Sequence, residues 1–179
     1  MRKARVAVFI SGTGSNLSAL LDCRDHLDVV LVFSQRSQAY GLQRARRRGV
    51  PVVVMSNPID WNSLIQRLQE VSADYIFLGG VMKILPESFI QAWEGRIFNI
   101  HPSLLPLYPG LRSIARAVEA NGPFGVTLHG VVPEVDAGPV LFQDRIEMQD
   151  VKSLEEIEFL YHVREHRLVR EWGRLAGQI

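Results

Sequence analysis

Three side chains of complementary chemistry stand where the apolar pattern breaks. An amide and an imidazole lie two residues apart in Phe98-Asn99-Ile100-His101-Pro102-Ser103-Leu104-Leu105-Pro106, and one acid lies in Val131-Val132-Pro133-Glu134-Val135-Asp136-Ala137-Gly138-Pro139. Along extended backbone, residues i and i+2 point to the same side. If Arg96 to Asn99 closes a buried strand, Asn99 and His101 leave its C-terminal end together, where open α/β sheets gather their ligands. An amide N–H can stabilise developing negative charge, and an imidazole can share that work or carry a proton. A carboxylate beside the ring can orient it and favour its cation. Singly, each residue also has a plain structural reading, as a satisfied histidine or an Asx-turn acid bonded to its own backbone.

The elements that must position these residues alternate between two periodicities. Val6 to Ile10, Val29 to Phe33, Val50 to Val54 and Tyr75 to Leu78 are short β-branched or aromatic runs, the pattern of strands buried on both faces. Between them, Asn16 to Arg24, Ala39 to Arg48 and Trp61 to Val71 carry apolar residues at spacings of three and four, the last two after caps at Ser37 and Asp60. The order β-α-β-α predicts an α/β fold with a mostly parallel sheet and helices on both faces. Val126 to Val132 and Val140 to Ile146 read as two further strands around the Asp136 loop, an antiparallel addition in the C-terminal half. Ser153 with Glu156 has the form of a capping box opening an amphipathic helix to about Arg174.

At 179 residues, with no repeat and no linker-like stretch, the chain reads as a single domain, 1–179. Lys and Arg number 20 against 19 Asp and Glu, a net charge of +1, so nothing calls for nucleic acid or an anionic membrane as partner. The run Arg44-Ala45-Arg46-Arg47-Arg48 reads as the solvated end of a helix with Gly49 as its C-cap. The single cysteine, Cys23, lies in an apolar helical pattern as a small buried hydrophobe, which suits a reducing compartment. The basic N-terminus leads to an apolar run too short for a signal, and no stretch approaches the ~18 apolar residues that span a bilayer. A cytoplasmic protein acting on small molecules, as monomer or homodimer, is expected.

The first strand runs into Ser11-Gly12-Thr13-Gly14-Ser15-Asn16-Leu17. A dinucleotide fingerprint needs a third glycine and an acid near the end of the second strand, but Leu17 and Ser34-Gln35-Arg36 stand there. A glycine turn feeding a helix still offers N–H groups and the positive dipole end to a phosphate monoester. The other reading is a tight turn capped by Ser15.

Taken together, N-I-H-P-S-L-L-P at 99–106, Tyr108-Pro109-Gly110, Thr127-x-His129 and Asp136-x-Gly138-Pro139 resemble the folate-dependent formyltransferases, from about Arg5 to about Trp172. The resemblance implies a Rossmann-like formyltransferase fold, with residues 1–98 as the phosphate-binding half and 99–179 as the catalytic and folate-binding half. It implies transfer of a formyl group from 10-formyltetrahydrofolate, as co-substrate and without metal, to the primary amine of phosphoribosylglycinamide in purine biosynthesis. Asn99, His101 and Asp136 become the catalytic group, serving an oxyanion and the proton that leaves the attacking amine. Gly14, Ser15 and Asn16 become ligands of the substrate phosphate. On the last helix, Glu165 matches a ribose-binding acid, and His162 stands one turn earlier at a phosphate-side position. Within Met82-Lys83-Ile84-Leu85, Lys83, Ile84 and Leu85 match the pterin-pocket wall. Val132, Pro133, Glu134 and Val135 match the folate-binding loop.

The chain departs from the family pattern at several places. Lys83 stands for the usual Arg, and His162 for Gln or Lys. Arg112-Ser113-Ile114 stands where a histidine is typical, Phe124 where one often precedes the glycine, and the loop from Asn121 to Phe124 is about one residue short. These changes leave the three-residue group intact and keep other acceptors open. Alternatives are a different amine, water as acceptor in a formyltetrahydrofolate hydrolase, or a non-catalytic folate or phosphate binder. Transfer to charged tRNA fits less well, since Leu107-Tyr108-Pro109-Gly110 follows the motif and no second domain is visible.

Overall fold

The computed structural model describes residues 2–81, 83–147 and 153–178. Its strands are β1 (Ala4–Ile10), β2 (Leu27–Ser34), β3 (Val52–Val54), β4 (Tyr75–Gly79), β5 (Ile97–His101), β6 (Phe124–Gly130) and β7 (Val140–Ile146). The helices are α1 (Ser15–Leu21), α2 (Tyr40–Arg47), α3 (Trp61–Glu70), α4 (Glu87–Ala92), α5 (Ser113–Glu119) and α6 (Leu154–Leu175). The strands form one sheet in the order β3-β2-β1-β4-β5-β6-β7. Pairings from β3 to β5 are parallel, and β5-β6 and β6-β7 are antiparallel, the mixed sheet that the pattern predicts.

Alternation along β1 explains the two covered faces. Val6, Val8 and Ile10 join α1, α2 and α6 through Leu17, Leu20, Leu42, Leu168 and Trp172. Ala7 and Phe9 face the other way, into a cluster with Leu64 and Leu68 of α3 and Phe89 and Ile90 of α4. A strand buried on both sides must be apolar at every position, and β1 is, save for Arg5. Trp172 locks α6 onto the sheet, fully buried with ring centroids 5.0 Å from Phe77 and 5.1 Å from Phe98. Truncating such a side chain costs roughly 3–5 kcal/mol.

Asp60 caps α3 by accepting from Ser63 N, and Ser153 and Glu156 form the expected capping box. Other local expectations are corrected. Ser37 is not a cap: α2 starts after Ala39, with no side-chain cap. Ser15 is the first residue of α1 rather than its cap, because Gly14 takes the N-cap place in the left-handed region at φ 69°. The strand β5 runs on to His101 instead of closing at Asn99, and β3 begins at Val52. Two short helices, α4 and α5, have no counterpart among the expected elements.

Candidate active site

Alternation gives β5 and β6 one face for Phe98, Ile100, Val126 and Leu128, which belong to the α6-side core, and the opposite face for polar side chains. That second face carries Asn99 and His101 on β5, paired across the strands with His129 and Thr127. Extended backbone thus delivers the expected i, i+2 pair, and the antiparallel partner adds two more polar side chains beside it. His101 is buried, with Nδ1 3.3 Å from Asp136 Oδ2 and Nε2 3.0 Å from Tyr108 O. A carbonyl and a carboxylate are both acceptors, so only the doubly protonated ring donates to both at once. His129 Nε2 lies 3.2 Å from Asn99 Nδ2 and 3.6 Å from Asp136 Oδ1.

Asp136 is held in place by its loop. Its φ is 52°. Two residues on, a Cβ at Gly138 would collide with Gly130 O, so only glycine lets the loop close onto the end of β6. Gly110 N donates to Asp136 Oδ2 at 2.8 Å. Burial pushes the carboxyl upward, but hydrogen bonding and the His101 and His129 rings outweigh it, and the group lies below the usual carboxylate range. At 3.6 Å the His129 contact is too long for a hydrogen bond and acts through space, beside the Gly110 N–H at 2.8 Å and the His101 ring at 3.3 Å.

The glycine loop lies across the sheet from this group. A Cβ at Gly14 would meet Gly41 Cα at 2.7 Å, which packs the loop tightly against the first turn of α2. Arg44 is not merely solvated: Nε donates to Thr13 O at 2.9 Å and Nη1 to Ser18 Oγ at 3.0 Å. Asn16 is buried, its Nδ2 donating to Glu165 Oε2 at 3.3 Å, while Oδ1 is buried without a partner. His162 Nδ1 lies 3.1 Å from the same Glu165 oxygen. That hydrogen bond raises the ring above its ordinary value against opposing desolvation, with the Glu165 and Glu158 charges adding to it. Burial pushes the neighbouring His166 down, and its ring stacks on His162 at 6.2 Å.

A cavity of about 620 Å³ joins these places. It is lined by Gly14, Ser15 and Asn16, by His162 and Glu165, by Asn99, His101 and Asp136, and by Lys83, Ile84, Leu85, Val132, Pro133, Glu134 and Val135. All the residues expected at a site therefore share one wall-to-wall space; Met82, next to Lys83, lies outside the described residues. Leu85 is buried while Ile84 is exposed at the mouth, and Lys83 Nζ donates to Asn57 Oδ1. Among the described residues no group of His, Cys, Asp or Glu is arranged to hold a metal ion, and no helix is long and apolar enough to cross a membrane.

Other contributors leave little or no trace in residue type. His129 shows in the sequence only as a member of Thr127-x-His129, and alternation within a strand is the signal that puts both on one face. Gly110 N and Tyr108 O act through backbone, which leaves no trace in residue type. Arg112 lines the cavity from the left-handed N-cap of α5, at φ 58°.

The chain is similar to known proteins along most of its length. A family model described as formyl transferase matches residues 4–171. The phosphoribosylglycinamide formyltransferase of Haemophilus influenzae is 38% identical over 188 residues, covering 96% of this chain and 89% of that protein. The trifunctional purine biosynthetic protein adenosine-3 of Drosophila melanogaster is 41% identical over 92% of this chain, which spans only 13% of the fly protein's length. The crystal structure of phosphoribosylglycinamide formyltransferase from Anaplasma phagocytophilum superposes with a TM-score of 0.94 at 36% identity, covering 99% of this chain and 88% of that one. Matched from the first strand to the last helix by one family model, and by a bacterial relative of similar length, the chain belongs to the formyl transferase family.

Proposed function

We propose that the protein transfers a formyl group from 10-formyltetrahydrofolate to the primary amine of phosphoribosylglycinamide, a step of purine biosynthesis. One observation carries this reading: a single cavity runs from Gly14, Ser15 and Asn16 to Asn99, His101 and Asp136, spacing a phosphate end from a reacting end. The bacterial relative of similar length bears the same activity in its name.

The folate donor supplies an activated formyl carbon. Leu85, Ile90, Val131 and Val132 offer its flat ring an apolar wall, Ile84 and Val135 rim the mouth, and Glu134 and Pro133 continue the loop beside it. Asn99 donates an amide N–H to the oxygen that gains charge when the amine adds. His101, cationic when its two nitrogens donate to Tyr108 O and Asp136, sets positive charge beside that oxygen, while the proton lost by the attacking amine passes by way of Asp136 and water to the departing folate nitrogen. At the other end, the N–H groups of Gly14 and Ser15 and the Asn16 amide receive the phosphate, with His162 adding positive charge and Glu165 accepting from ribose hydroxyls. The first half of the chain supplies the loop, but α6 from the second half completes the phosphate end. The buried, free thiol of Cys23 suits a cytoplasmic enzyme.

The test is a spectrophotometric assay with a 10-formyl dideazafolate donor, with and without phosphoribosylglycinamide. Acceptor-dependent release of deformylated folate is expected. Release that ignores the acceptor would make the protein a hydrolase, and no release would remove the reading.

A further inference from the structure

Thr127 is fully buried at the centre of a row across three strands, paired with His101 in β5 and Gln143 in β7. Its hydroxyl donates to Ser103 O at 2.7 Å, and accepts from Leu105 N at 3.0 Å and Gln143 Nε2 at 3.0 Å. One donor and two lone pairs are its full capacity, and all are used. Gln143 Nε2 donates also to Leu105 O at 2.7 Å. Neither side chain lines the cavity. What they hold is the turn that leaves β5 after His101: Ser103 O and both backbone groups of Leu105. The next links follow along the chain. Ser103 Oγ donates to Leu107 O at 2.5 Å, Tyr108 O meets His101 Nε2 at 3.0 Å, and Gly110 N donates to Asp136 Oδ2 at 2.8 Å.

We infer that Thr127, with Gln143, is a positioning residue for the reaction, fixing through the 103–110 segment the two backbone groups that hold His101 and Asp136 in register. The carbonyl of Tyr108 keeps a proton on His101 Nε2, which turns Nδ1 toward the carboxylate. The N–H of Gly110 fixes the carboxylate oxygen that Nδ1 faces. A turn free to shift loses both anchors together. A displacement of about 1 Å in such a pair lowers turnover by as much as roughly 10²-fold. The inference rests on the reading of His101 and Asp136 as reacting groups.

The experiment compares Thr127→Val, Thr127→Ser and Gln143→Leu with wild type in the formyl-transfer assay, with His101→Ala as reference and thermal unfolding measured for each. Thr127→Val keeps shape and loses all three hydrogen bonds. Its kcat is expected to fall roughly 10- to 100-fold, while KM for both substrates changes less than about threefold. The pH profile of kcat moves as well, because the imidazole and carboxylate no longer hold each other, and Thr127→Ser restores both rate and profile. A purely structural threonine would lower the unfolding temperature with kcat and its pH profile unchanged, and that result would overturn the inference. If Thr127→Val does not fold, Gln143→Leu decides: a lowered kcat at unchanged KM supports the inference, and a wild-type kcat overturns it. Wild-type turnover in His101→Ala would instead remove the underlying reading, and the inference with it. Loss in His101→Ala alone would leave that reading standing and refute only the role of Thr127.

Discussion

Asn99 and His129 meet across β5 and β6, with the amide Nδ2 3.2 Å from the ring Nε2. The other ring nitrogen, Nδ1, lies 2.7 Å from Gly130 O, an acceptor that places the ring proton there. In the neutral ring Nε2 then carries a lone pair and accepts from Asn99, so the second amide hydrogen is left for the cavity. His129 therefore decides which way the amide points. His129→Ala frees the amide to turn, and kcat should fall about 10-fold or more, with both KM values near wild type. His129→Gln, whose carbonyl can still accept, should retain more of the rate. Wild-type kcat in the alanine variant would mean that Asn99 is oriented by other contacts.

The pair of His101 and Asp136 makes a stronger demand. Either His101→Ala or Asp136→Asn should lower kcat by on the order of 10² or more with an unchanged circular dichroism spectrum, since acid–base groups contribute about 10² to 10⁴. Near-wild-type rates in both would remove the mechanism. The carboxyl also has a signature in stability. Its value is held below the ordinary range in the folded chain, so its stabilising contribution is present above the unfolded value of about 3.9 and disappears as pH falls through the folded one. The unfolding-temperature advantage of wild type over Asp136→Asn should hold at neutral pH and shrink below about pH 4. An advantage constant down to the most acid buffer would contradict the ion pair.

The pairing of Asn99 with His101 is legible in the sequence because strand periodicity is short and rigid. Two positions apart on β5 can only mean one face, and the β-α-β-α order likewise dictates the helix-covered sheet. What escapes depends on contacts distant in sequence. The short α4 and α5 begin after Pro86 and Arg112 with no side-chain cap, and α4 is held by burial of Phe89 and Ile90 rather than by any local signal. The basic run on α2 gives no hint that Arg44 grips the glycine loop, because that contact follows from Gly41 packing on Gly14. His129 acquires its role only once β6 pairs antiparallel to β5.

At the proposed phosphate end, Asn16 has an oxygen buried without a partner and an amide shared with Glu165. A ligand that takes up this amide should gain from it directly. Asn16→Ala should raise KM for phosphoribosylglycinamide about 10-fold or more and leave KM for the folate donor near wild type, as expected for a lost charge-assisted hydrogen bond. Equal changes in the two KM values would show that the glycine loop is a turn and not a phosphate site.

The same end should respond to pH through His162, whose side chain is half exposed and bonded to Glu165. That hydrogen bond and the Glu165 charge raise the ring above its ordinary 6.5, so a larger share is cationic near neutrality than for a free histidine. His166 beside it is pushed the other way by burial, so its ring adds little positive charge there. A cation is present below the raised value and lost as pH climbs through it. KM for the phosphorylated acceptor should therefore rise in wild type as pH climbs above the ordinary histidine value of about 6.5, by roughly threefold to 10-fold, and less at high salt. His162→Lys should keep KM low across that range, His162→Gln should make it higher and flat, and the folate KM should follow neither. Parallel pH curves for wild type and His162→Gln would show that the ring does not reach the phosphate.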